Sequence, residues 1–173
     1  MRSLRALLVV VALSGFLLAE DIIPSFSPGH TITYTPPNPK VWKVAEREEQ
    51  EAIGFIMYKR AAIVDEDGLS VEPCLSIVYR KVPEDVTDAM AFVAASRMSI
   101  PYEVTGMSLI NDGHGLVISY KHLVAGCEHM SSIAHFFEIG LGVQVISETT
   151  TTVYKDIEAD KDAFFRSVSL NKK

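Results

Sequence analysis

The sequence predicts an α+β domain, an antiparallel β-sheet covered by helices. Three observations carry this. Four β-like segments follow one another between residues 102 and 150 with only turn residues between them, leaving no room for the crossover helices that a parallel sheet needs. Two stretches, 83–98 and 156–168, instead carry apolar residues at helical spacing. Hydrophobic residues make up 48% and charged residues 22% of the 173, which fits one globular domain and excludes disordered, collagenous and coiled-coil chains.

Residues 1–19 read as a secretory signal, with basic Arg2 and Arg5, an apolar run over 6–18 and small Ala19 at the cleavage point. That run of 13 residues is shorter than the roughly 20 of a spanning helix. An uncleaved anchor is the alternative, because Leu17 is a poor small residue for its position. Cleavage would leave one domain of 154 residues, periplasmic or secreted, with no later apolar stretch long enough to span a bilayer. Removing Arg2 and Arg5 from the 16 basic residues leaves 14 against 22 acidic, a net charge of −8. A chain so acidic, without a basic stripe, is not a general nucleic-acid binder.

Residues 20–40 form a Pro-rich arm in which Pro24, Pro28, Pro36, Pro37 and Pro39 forbid helix and admit one short strand over 31–34. The single domain then occupies 41–173. Residues 41–45 are expected as a strand carrying the only tryptophan, Trp42, and the charged run 46–51 as a solvated turn. Strands are expected over 53–60 and 75–81, separated by the turn Asp65-Glu66-Asp67-Gly68. That acidic cluster lacks the spaced ligands and distal Glu of a calcium loop. Pro83, Glu84 and Asp85 are expected to open a helix reaching about Met98, apolar around nearly its whole circumference and so packed on more than one side.

Strands over 102–110, 115–124, 129–139 and 142–150 follow, with Asn111-Asp112-Gly113 as a hairpin turn. A second hairpin is expected around 126–128. Asp156 is expected to cap the last helix, whose Ile157, Phe164, Phe165 and Val168 share a face.

Catalytic signatures are missing: there is no Gly-x-Ser-x-Gly elbow, phosphate loop, His-Glu-x-x-His or Cys-x-x-Cys. No cofactor is implied. Histidine gives the one pointed clue, since His122 and His135 each fall on the more apolar face of their strands and could be diagonal neighbours, with His129 and Cys127 beside the turn. Such groups could bind zinc or copper, and the plainer reading is a hydrogen-bonded core histidine. Cys74 and Cys127, the only cysteines, are a candidate disulfide in an exported chain, the alternative being two buried thiols. Trp42 and Phe136 are candidate protein-binding aromatics, Phe136 because it faces opposite to His135 and Phe137.

The element order, together with the ending Asp160-Lys161-Asp162-Ala163-Phe164-Phe165-Arg166-Ser167-Val168 and the Pro-rich lead-in to Trp42, resembles the PsbP-like and DcrB-like α/β/α sandwich family over about residues 29–170. The resemblance implies a non-catalytic assembly, stability or adaptor factor with a protein partner, and no catalytic residues to carry over. The functional expectation is therefore an exported domain, not an enzyme, that binds another protein. The alternative is a periplasmic metal- or small-ligand-binding protein using His122 and His135.

Overall fold

The computed structural model describes residues 21–24, 30–96 and 101–172. The segment 1–19 expected as a signal lies outside them. In chain order the elements are β1 (Asp21–Pro24), β2 (His30–Tyr34), β3 (Trp42–Glu49), β4 (Ile53–Arg60), β5 (Ile63–Val64), β6 (Ser70–Val71), β7 (Cys74–Lys81), α1 (Ala89–Ala95), β8 (Glu103–Ile110), β9 (Gly115–Val124), β10 (Cys127–Glu138), β11 (Leu141–Thr150), α2 (Tyr154–Ser167) and β12 (Ser169–Lys172). Seven strands form one sheet in the order β3-β4-β7-β11-β10-β9-β8, every neighbouring pair antiparallel. The expected antiparallel α+β architecture is the one observed.

One face of this sheet meets α2. Along each strand alternate residues point to that side, and they are apolar where the strands are central: Tyr58, Ile77, Tyr79, Val143, Val145, Ala134 and Phe136. From α2, Ile157, Phe164 and Phe165 bury against them, a stripe set by the helical repeat. Phe164 receives the rings of Tyr34 and Tyr58 edge-on at 6.1 and 5.7 Å, and the two tyrosine hydroxyls hydrogen-bond at 3.0 Å.

The Pro-rich stretch is more than a lead-in. β2 pairs with β1 on one side and β12 on the other, so residues near both ends of the chain share a small sheet, and Ile23, Ile32 and Tyr34 belong to the same core. The arm thus carries two strands, β1 and β2, where one was expected, because Pro24 ends β1 at the edge of the small sheet, and Pro36, Pro37 and Pro39 then carry the chain to Trp42.

The other face is covered by α1, which is shorter than the sequence suggested. Residues 83–88 are not helical, with a turn at 84–85, because Val86 is their one apolar residue besides Pro83 and a single residue cannot make a buried helical stripe. The helix starts where Asp88 accepts the Ala91 N–H at 2.8 Å. It packs on one side only: Phe92 and Val93 are buried while Met90 is exposed. Phe92 lies on Gly142, where any Cβ would collide with its ring, stacks on Phe137 at 5.9 Å and receives Arg80 at 5.3 Å.

Two further expectations are corrected. The charged run 46–49 continues β3 rather than turning, because backbone pairing to β4 needs no apolar side chains at an exposed edge. The hairpin between β9 and β10 turns at Ala125 and Gly126, both at positive φ (51° and 86°), so Cys127 opens β10 instead of sitting in a loop.

Candidate functional site

The Ala125-Gly126 turn sets the register that decides which histidines meet. With Val124 opposite Cys127, His122 pairs directly with His129, and His135 pairs with Leu116. Six residues of strand, about 20 Å at ~3.3 Å per residue, therefore separate His122 from His135. They are not the diagonal neighbours the sequence suggested, because the turn centre lies nearer β9 than expected.

His122 and His129 project from the α1 face at the end of the sheet beyond α1. Their ring centroids are 5.7 Å apart. His122 is buried, and its Nε2 shares a 2.8 Å hydrogen bond with Ser131 Oγ. His129 Nδ1 lies 3.5 Å from Glu148 Oε1, without the alignment a hydrogen bond needs. The Nδ1 atoms of both rings are buried with no hydrogen-bond partner. Glu148 reaches this group because it sits opposite Ser131 on β11.

His135 is a different kind of histidine. Its Nδ1 lies 3.3 Å from the Leu116 carbonyl and its Nε2 3.4 Å from the Gln144 amide nitrogen. Nδ1–H thus donates to the carbonyl while Nε2 accepts from the amide, which leaves no ring lone pair for a metal. Burial, with help from Arg80, holds its pKa below the ordinary histidine value against two backbone hydrogen bonds. This is a satisfied core residue.

The cysteines do not meet. Cys74 lies opposite Glu148, two strands from β10 and about four residues along from Cys127, a separation of roughly 16 Å where a disulfide needs Cα atoms within about 7 Å. Both are free cysteines, half-buried, and burial, then the charge of Glu148, pushes the Cys74 thiol up from its usual value. Trp42 and Phe136 are each only 2% exposed. Trp42 donates its indole N–H to Asp160 Oδ2 at 2.9 Å, and Phe136 lies under the α2 side of the sheet. Neither offers a side chain to a partner.

Exposed apolar residues occur elsewhere, on edge strand β8. Val104, Met107 and Leu109 are 48%, 60% and 68% exposed and point to the α1 face beside Tyr120, Ile118 and Leu116. A groove of about 590 Å³ runs between Pro36–Lys40 and α2, lined by three prolines and Phe164. Sequence reading missed Glu148 and Ser131, since nothing local marks residues that become neighbours only through strand pairing.

No family model matches the chain, and no curated protein matches it in sequence. Solved structures do. A Pseudomonas aeruginosa protein of unknown function superimposes with a TM-score of 0.56 at 13% identity, covering 75% of this chain and 88% of that one. LpqN of Mycobacterium tuberculosis, involved in cell envelope biogenesis, gives 0.51 at 12% identity over 88% of this chain and 91% of its own. Cyanobacterial PsbP from Synechocystis sp. PCC 6803 gives 0.49 at 14% identity over 91% and 96%. The Pseudomonas protein and LpqN share the α+β fold of this chain, and at these identities the likeness concerns the fold alone.

Proposed function

We propose that this chain is an exported, non-catalytic domain that binds another protein as an assembly, stability or adaptor factor. The observation that carries the reading is the contrast at the two edges of the main sheet. β3 exposes Lys43, Glu46, Arg47, Glu48 and Glu49 around one exposed apolar residue, Val44, the usual protection against strand addition, whereas β8 has Glu103 as its one charge and exposes three, Val104, Met107 and Leu109. An edge with open backbone groups and alternating apolar side chains is what an added strand recognises. The use of this fold by a protein of cell envelope biogenesis supports the reading, and so does the basic, then apolar start of the sequence. Among the described residues no helix is long and apolar enough to cross a membrane.

The test is crosslinking in whole cells followed by co-purification, with the native chain and a Val104→Lys/Met107→Lys/Leu109→Lys variant side by side. All three positions are exposed, so the variant is expected to fold and to lose the partner that the native chain retains. Equal recovery from both, or turnover of a small substrate with no specific partner, would overturn the proposal.

A further inference from the structure

The geometry points to a divalent transition-metal site, of the zinc type, formed by His122, His129 and Glu148 at the open end of the α1 face. It does not rest on a protein partner at the β8 edge. Burying an unpaired ring nitrogen is unfavourable, yet two such nitrogens, Nδ1 of His122 and Nδ1 of His129, lie on facing residues of one hairpin. Their centroid separation of 5.7 Å compares with about 5–6 Å for two imidazoles on one tetrahedral zinc, given Zn–N bonds of about 2.0–2.1 Å.

The carboxylate lies beside one of the two rings. Two ligand atoms about 2.1 Å from a tetrahedral ion lie about 3.4 Å apart, and Glu148 Oε1 is 3.5 Å from His129 Nδ1 with no hydrogen bond between them. Ser131 plays the outer part: by holding His122 Nε2 at 2.8 Å it fixes the ring and leaves Nδ1 as the nitrogen on offer. As they stand, no three His, Cys, Asp or Glu side chains among the described residues converge on one point. Glu148, whose side chain is 39% exposed, is the ligand that rotates in, with water completing the shell. Two nitrogens and one carboxylate suit zinc or copper and not calcium or magnesium, which take oxygen shells.

The experiment is calorimetric titration of the untagged, chelator-treated chain with zinc chloride, read together with the zinc-induced rise in melting temperature. One zinc per chain is expected. His122→Gln and His129→Gln should each weaken binding at least tenfold and abolish the rise, Glu148→Gln should weaken it severalfold, and His135→Gln should bind as the native chain does. If buried His122→Gln does not fold, His129→Gln at its more open position decides. Absence of one-to-one binding, native affinity in His129→Gln, or an equal loss in His135→Gln would overturn the proposal.

Discussion

The two faces of the seven-stranded sheet differ in what covers them. Under α2 and the small sheet, apolar side chains from most of the strands interdigitate with Ile157, Phe164 and Phe165. On the opposite face a two-turn helix covers little more than β10 and its neighbours, and polar groups share the surface: His135 and Gln144 under α1, His122, Ser131 and His129 beyond it. Closed apolar packing stabilises the fold, while buried polar atoms without hydrogen-bond partners occur on both faces, Nδ1 of His122 and His129 on this one and the hydroxyls of Ser147 and Thr149 on the other.

Removing a phenylalanine from each side breaks this comparison most directly. Phe164→Ala should destabilise the whole domain by about 3–5 kcal/mol, because it empties the centre of the closed face. Phe92→Ala should release α1 while costing global stability less, since α1 is anchored chiefly through that ring over Gly142. Urea unfolding gives the global values, and hydrogen exchange should show protection lost over Ala89–Ala95 in the second variant alone. Equal global losses would erase the distinction between the faces.

A smaller effect reports on the polar half. The pKa of His135 is lowered by burial in the folded chain, so as pH falls through about 6.5 the unfolded chain takes up a proton that the native chain resists. Stability should therefore fall with pH between about 6.5 and the folded value, by at most about 1.4 kcal/mol per pH unit for one group. His135→Gln, measured by urea midpoints at pH 7.5 and 5.5, should lose less than the native chain over that interval.

The smallest expected effect is at the turn that sets the histidine register. Ala125 has φ 51°, a region alanine disfavours and asparagine tolerates. Ala125→Asn should raise stability by about 0.5–1 kcal/mol and keep any zinc affinity unchanged, whereas a loss of both would mean that the turn tolerates no exchange.

Strand and helix identity was largely legible, because period-2 and period-3.6 apolar patterns survive wherever one face is buried. β4, β7, the late meander and α2 all follow their patterns to within a few residues. The charged half of β3 was not legible, since an edge strand held by backbone hydrogen bonds needs no apolar alternation. The length of α1 was hidden for the converse reason: small alanines look buried in any window, and only Phe92 and Val93 find a surface to cover.

By itself, the sequence determined the class of fold and the antiparallel sense of the late meander, because strands joined by short turns can pair in no other sense; that β7 lies between β4 and β11 was decided by the tertiary structure. It also singled out His122 and His129 for the candidate site, but not Glu148 or Ser131. Only the tertiary structure decided that His122 faces His129 rather than His135, that Glu148 joins them, and that Cys74 and Cys127 lie apart. The physical reason is register: one turn residue more or less shifts every cross-strand pair, and Ala125 and Gly126 adopt positive φ only in the company of the strands they join.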